Sequence, residues 1–395
     1  MGQRALSGAG PGRRPGRRRA GVELSLRALH GHILTPDGFV RGELIHEDGR
    51  VLRVQGDPVA ETDVLADTRP LVLPGFVDLH VHGGGGHDTM AGGAAVAQLA
   101  RVHARHGTTA LLATTMTAPR SEIESALRAL APCVQRPIEG GARVLGVHLE
   151  GPYISPGRLG AQPDFAAVAT LQDVLALHTL APIRLITIAP EQPGHLELIV
   201  ALRDCGFLVQ IGHSAGRYED GVAALAAGAT GFTHLFNAMT GLHHREPGMV
   251  GAALAHGRYA EIIPDLLHVH PGAIRVALRC IPGLYCVTDS TAAADMPDGE
   301  YRLGRHNVTK CLGGVRLADG TLAGSTLTMD QALRNLVGLG LTLAEASRRT
   351  STLAAEHLGL ADRGRLAPGA WVDVVRLDRD LQLTGVVVEG ETIEL

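Results

Sequence analysis

The chain has 395 residues, 45% hydrophobic but only 3% aromatic, with 51 Gly, 20 His and a formal net charge of -4. That length exceeds what one hydrophobic core organises, so a large domain plus a smaller one is expected, and the apolar fraction excludes general disorder. The mild negative charge gives no phosphate-neutralising footprint for nucleic acid, and the apolar runs break well before the roughly 20 residues of a bilayer span, so neither nucleic acid nor membrane is expected as a partner.

Residues 1–21 are rich in Gly, Pro and Arg, with a basic cluster from Arg13 to Arg19 and no apolar stretch able to form a signal-peptide core. They read as a disordered basic tail. From Val22 to about Pro70 short β-like pieces alternate with turn signals such as Pro36-Asp37-Gly38 and Asp48-Gly49, and the same texture returns over residues 366–395. The two ends are expected to combine into one small β-sandwich domain.

Between them, over residues 71–365, eight apolar runs alternate with Ala- and Leu-rich helical stretches: Phe76 to His82, Thr109 to Thr114, Val144 to Glu150, Arg184 to Ala189, Leu208 to His213, Gly231 to Phe236, Glu261 to Val269 and Leu284 to Asp289. Eight strands each followed by a helix predict an α/β fold, a (β/α)8 TIM-type barrel. An open doubly wound sheet lacks the Gly-rich phosphate fingerprint after its first strand. Cys133, Cys205, Cys280, Cys286 and Cys311 are odd in number and without short paired spacing. They argue against a disulfide scaffold and fit a reducing cytoplasm.

Several of the runs end on a residue able to ligate a metal or move a proton, and in a barrel chemistry collects at the C-terminal ends of the strands. In Asp78-Leu79-His80-Val81-His82 the period of two turns Asp78, His80 and His82 to one face, where two imidazoles can share a divalent cation and Asp78 can orient them from behind. Two core histidines bonded to backbone are the competing reading of that pair. Glu150 ends the third run before Gly151-Pro152, and a carboxylate there is costly unless paired or metal-bound. His213 and His234 end the fifth and sixth. Two His and one Glu with an open position match a hydrolytic zinc site. Asp289, at the eighth, is placed to take a proton from water and return it to a leaving group, a helix N-cap being its alternative. The only lysine is Lys310, which excludes a carboxylated Lys bridging two metals at the fourth strand. If two metals bind, Glu150 must bridge them.

In order along the chain stand Pro74-Gly75-Phe76-Val77-Asp78, His148-Leu149-Glu150-Gly151-Pro152-Tyr153-Ile154-Ser155, Gly212-His213-Ser214, Thr233-His234-Leu235-Phe236-Asn237-Ala238-Met239, Arg245-Glu246-Pro247-Gly248, Val287-Thr288-Asp289 and Ala323-Gly324-Ser325. On these motifs the sequence resembles the N-acetylglucosamine-6-phosphate deacetylases of the amidohydrolase superfamily over nearly its whole length after the tail. The resemblance implies hydrolysis of the acetamide of a 2-acetamido sugar 6-phosphate in amino-sugar catabolism, with one or two divalent ions, zinc or iron, per chain. It implies Glu150, His213 and His234 as principal metal ligands, His80 and His82 for a second ion, and Asp289 as general base and acid. Asn237 and Ala238 would hold the sugar phosphate, and Arg245 and His268 the phosphate group, the Arg supplied across a homodimer. Ala161, Gln162 and Leu322-Ala323-Gly324 would line the sugar and acetyl pocket.

Two features depart from the single-metal members of that family. His80 and His82 match the pattern that admits a second ion, and Gln162 replaces a His that helps to polarise the acetyl carbonyl. An N-acetylgalactosamine-6-phosphate deacetylase or another amidohydrolase would share the metal site. A metal-free barrel kept as an assembly protein would lack a ligand, and none is missing.

Overall fold

A computed structural model describes residues 26–395; the tail expected over residues 1–21 lies outside them. Eight parallel strands form the centre: β1 (Phe76–Val81), β2 (Thr108–Thr114), β3 (Arg143–Glu150), β4 (Ile183–Ile188), β5 (Leu208–Ile211), β6 (Gly231–Phe232), β7 (Tyr259–Ile262) and β8 (Gly283–Cys286). The first six pair in sequence order and β7 pairs with β8. The Leu235 N–H bonds Glu261 O at 2.9 Å and the Asp289 N–H bonds His80 O at 2.9 Å, joining β6 to β7 and β8 to β1. The expected (β/α)8 barrel is present, and its strands are buried on both faces because helices cover the outside. Helix starts follow local chemistry: Thr170 Oγ1 accepts the Asp173 N–H at 3.2 Å while the Asp173 carboxylate accepts the Thr170 N–H at 3.1 Å, a reciprocal cap on Leu171–His178.

The seventh strand begins before its apolar run and overlaps it only at Glu261 and Ile262. It stops at Ile262 because Pro264 has no N–H to continue the ladder, and the Asp265 carboxylate accepts the N–H groups of Leu267 (2.9 Å) and His268 (2.8 Å) instead.

Both chain ends share one seven-stranded sheet, Arg27–Thr35, Gly38–Glu47, Arg50–Pro58, Leu71–Pro74, Val374–Leu377, Leu383–Val388 and Glu391–Ile393. Alternation sorts its residues: Leu71, Leu73, Val375 and Leu377 join the barrel core, whereas Ile33, Leu44, Val51, Val72, Val374 and Val387 form a second core. Bonds from the Val51 N–H to Ala370 O and from the Val372 N–H to Gly49 O tie the edge strand Arg50–Pro58 to the segment before Val374–Leu377, so the expected sandwich is a single sheet wrapped over that core. Leu71–Pro74, which the sequence assigns to the barrel, is laddered between Arg27–Thr35 and Val374–Leu377, and the chain passes from that sheet into β1 through Gly75. A Cβ there would come within 2.2 Å of the Thr109 side chain, which is why the chain turns into β1 on a glycine.

Beyond β8 lies an antiparallel three-stranded sheet, Gly299–Leu303, His306–Cys311 and Gly314–Arg316, that the sequence did not announce. Leu303, Val308 and Val315 pack with Met116, Ala293 and Ala323 into a small satellite core beside the barrel mouth.

Candidate active site

The strand ends aim the chemistry. His80 and His82 lie on one face of β1 and just beyond it, and Glu150 is the last residue of β3. His213, His234 and Asp289 follow β5, β6 and β8, with φ of 46°, 28° and 48°. A non-glycine residue in that left-handed region costs on the order of 1–3 kcal/mol, and three together mark a mouth where backbone strain is used to turn side chains inward.

Glu150 is the hub. Its Oε1 lies 2.9 Å from His234 Nε2 and 3.1 Å from His213 Nε2, while its Oε2 lies 3.1 Å from His82 Nε2 and 3.5 Å from His80 Nε2. The two imidazole pairs approach each other closely, His213 to His234 at 3.0 Å and His80 to His82 at 3.2 Å between Nε2 atoms. Ligand atoms at ~2.1 Å from a tetrahedral zinc stand ~3.4 Å apart, so both groups have roughly the spacing and the donor types of a coordination shell. His82 Nδ1 and His234 Nδ1 are buried without a hydrogen-bond partner. Four inward imidazoles and a carboxylate therefore have the donor types of a divalent-cation site, in two groups that share Glu150.

Asp289 Oδ1 stands 3.3 Å from His82 Nε2 and 3.5 Å from His80 Nε2. Burial raises its pKa, but the charges of His80 and His82 outweigh that and hold it at about 2. Burial also raises Glu150, which His80 and His213 bring well below the usual carboxylate range. His82 is lowered by burial and lifted by Asp289 and Glu150 to about 9. Carboxylates clustered with imidazoles in this way suit a divalent cation, whose charge can take the place of the imidazole protons.

The supporting residues differ from the sequence reading. Asp78 does not touch the imidazoles. It accepts the Thr288 hydroxyl at 2.7 Å and the N–H groups of Thr288 and His80 at 3.2 Å, clasping β8 to β1 through the backbone, because its short side chain turns toward the strand neighbour. The partner of His80 Nδ1 is Glu261 Oε2, at 2.9 Å. Sequence reasoning missed Glu261, although an acid in the apolar strand Tyr259–Ile262 was the available signal. His213 Nδ1 lies 2.9 Å from Arg158 O. Gln162 donates to Glu150 Oε2 at 2.6 Å.

A cavity of about 230 Å3 opens onto Glu150, His82, His213, His234 and Asp289. Its walls include Ala161, Gln162, Asn237, Ala238, His268, Leu322 and Gly324, all anticipated from the sequence, together with Met116, Leu303 and Thr321, which were not. The last two belong to or adjoin the unannounced sheet, and nothing in the sequence singles out Met116. Ala323 departs from expectation: its side chain is buried in the satellite core, because the alternation that exposes Leu322 to the cavity turns Ala323 away. His268 Nδ1 lies 2.6 Å from Asp265 Oδ2; burial lowers its pKa, but that carboxylate outweighs it and favours the imidazolium. Arg245 is not on the cavity wall; it sits in an exposed loop, 2.8 Å from His244 Nε2.

A (β/α)8 barrel with four histidines and two carboxylates converging at its C-terminal mouth is the architecture of the metal-assisted hydrolases. The amidohydrolase family pattern matches residues 71–393, and the chain belongs to the amidohydrolase family. It is 41% identical to N-acetylgalactosamine-6-phosphate deacetylase of Escherichia coli O157:H7, over 91% of this chain and 97% of that protein. It is 37% identical to N-acetylglucosamine-6-phosphate deacetylase of Vibrio furnissii, over 93% of each. Among solved structures, a mutant N-acetyl-D-glucosamine-6-phosphate deacetylase from Mycobacterium smegmatis in complex with N-acetyl-D-glucosamine-6-phosphate superposes with a TM-score of 0.86 at 34% identity, covering 94% of this chain and all of that one.

Proposed function

We propose that this enzyme hydrolyses the acetamide of N-acetyl-D-glucosamine 6-phosphate to D-glucosamine 6-phosphate and acetate. The observation that carries the reading is Asp289 at 3.3 Å from His82, beside the Glu150-centred histidines at the floor of the cavity.

Glu150, His213 and His234 would hold the principal divalent cation, zinc or iron, and His80 and His82, together with Glu150, would hold a second. When bound, the cations polarise the acetyl carbonyl and lower the pKa of water. The rest is work for the chain's own groups. Asp289, anionic at neutral pH, takes a proton from the water that attacks the acetyl carbon, then delivers it to the nitrogen as the C–N bond breaks, so that a neutral amine departs. Asn237 and Ala238 position the sugar phosphate, and His268, favoured as a cation by Asp265, meets the phosphate with Arg245. Arg245 lies off its own cavity, which supports its delivery from the neighbouring subunit of a homodimer. Leu322 and Gly324 bound the acetyl group, and the five cysteines, free among the described residues, suit a reducing cytoplasm.

Hydrolysis in 18O-labelled water tests the reading. The label is expected in acetate and not in the amino sugar; label in the sugar, or no acetate from cation-loaded protein, would refute it.

A further inference from the structure

The four imidazoles of the site are not held alike. His213 Nδ1 is set by a backbone carbonyl, whereas His82 Nδ1 and His234 Nδ1 are buried without a partner. Only His80 backs onto a carboxylate, that of Glu261, which is fully buried. A carboxylate accepts and does not donate, so the 2.9 Å contact places the hydrogen on His80 Nδ1 and leaves the Nε2 lone pair facing His82, Glu150 and Asp289. The same Glu261 oxygen accepts the His234 N–H at 3.2 Å, and its other oxygen faces the Tyr285 hydroxyl at 3.4 Å. Tyr285 in turn is held by Gln210 Nε2 at 2.6 Å and His357 Nδ1 at 3.1 Å. Glu261 is thus fixed from behind by a buried network and touches one residue of each cation position.

We propose that Glu261 is the positioning residue of the second cation position, pinning His80 with Nε2 bare and lending its negative charge through the imidazole to the ion that His80 and His82 receive. The proposal rests on the two-cation reading above. It follows from chemistry general to metal sites, in which a carboxylate behind a ligating imidazole fixes its tautomer and strengthens it as a donor. It also explains an acid in the middle of a strand whose neighbours are apolar, where an unpaired charge would be strongly unfavourable.

The discriminating variant is Glu261→Gln. Its amide oxygen can still accept the His80 and His234 N–H groups and its NH2 can face the Tyr285 oxygen, so the hydrogen-bond framework is retained and only the charge is lost. Titration calorimetry of zinc into metal-free protein should show two steps for wild type. In Glu261→Gln the step belonging to His80 and His82 should weaken roughly tenfold to a hundredfold, as for loss of a carboxylate behind a ligating His, while the Glu150, His213 and His234 step is unchanged. On a His80→Gln background the second substitution should add nothing. An isotherm identical to wild type, or equal weakening of both steps, would overturn the assignment. A second measurement needs neither a variant nor a cation: 15N spectra of histidine-labelled, metal-free wild type at alkaline pH should show His80 as the Nδ1–H tautomer. Nε2–H would overturn the proposal whatever the number of cations, so a chain that took up one ion would refute the two-cation reading separately.

Discussion

The Gln162 side chain donates to Glu150 Oε2 at 2.6 Å and accepts the Thr117 N–H at 2.7 Å. Because Thr117 offers only a donor, the amide has one allowed orientation, with its NH2 toward the carboxylate. The clamp fixes the rotation of Glu150 so that its two oxygens face different histidine pairs. Gln162→Ala removes both bonds and leaves a buried N–H unpaired, so it should cost about 1–3 kcal/mol. Urea denaturation of the metal-free protein should show a lower midpoint at unchanged slope; an unchanged midpoint would mean that Glu150 is held by the histidines alone.

Asp289→Asn keeps the shape of the site and removes its proton carrier. Turnover should fall by roughly 10² to 10⁴ on general acid–base magnitudes, with cation content by elemental analysis unaltered. Near-normal kcat with full metal would assign the proton to another group.

Arg245 is predicted to act from the neighbouring subunit. Arg245→Ala should cost roughly 1.5–3 kcal/mol in kcat/KM for the phosphorylated sugar, the range for a hydrogen bond to a charged group, and little for the unphosphorylated one. Mixing Arg245→Ala chains with Asp289→Asn chains should regain activity, since one hybrid site has both groups intact. Proven heterodimers without that gain would return Arg245 to its own subunit.

Stability should carry a pH signature away from the mouth. His106 Nδ1 lies 3.5 Å from Asp330 Oδ1, and Arg334 bonds the other oxygen at 2.8 Å. Burial lowers His106, but Asp330 outweighs it and raises the pKa above its ordinary value; burial raises Asp330, which His106, Thr328 and Arg334 bring down to about 2. The raised His106 stabilises the fold below about pH 6.5 and loses that contribution as pH rises through its folded value, while Asp330 stays ionised throughout. Asp330→Asn should therefore cost more at pH 5.5 than at pH 9, by roughly 0.5–1 kcal/mol for a partly exposed pair. Equal losses in chemical denaturation at the two pH values would contradict the pairing.

Much of the fold was legible because a parallel barrel writes itself as apolar runs at regular spacing, and those runs predict the eight strands. His80, His82, Glu150, His213, His234 and Asp289 stood out because each is a polar residue closing an apolar strand. The sheet over Gly299–Arg316 was not legible: its strands are half exposed and short, with no continuous run to mark them. Glu261 escaped for the opposite reason: it opens its apolar run instead of closing it, and its partner His80 lies 181 residues away along the chain. Arg245 was read from its motif as a phosphate contact, and no spacing along the sequence could tell that it stands in an exposed loop and not among the residues of the cavity wall.

The proposed reaction stands or falls on kcat/KM for acetate release across a panel of N-acetylglucosamine 6-phosphate, N-acetylgalactosamine 6-phosphate and unphosphorylated N-acetylglucosamine. Acetate and amine should appear in equal amounts, with the gluco 6-phosphate as best substrate and a large loss without the phosphate. Preference for the galacto epimer would correct the sugar while keeping the chemistry. No acetate from any member of the panel, with the cation positions filled, would rule out deacetylation at this site.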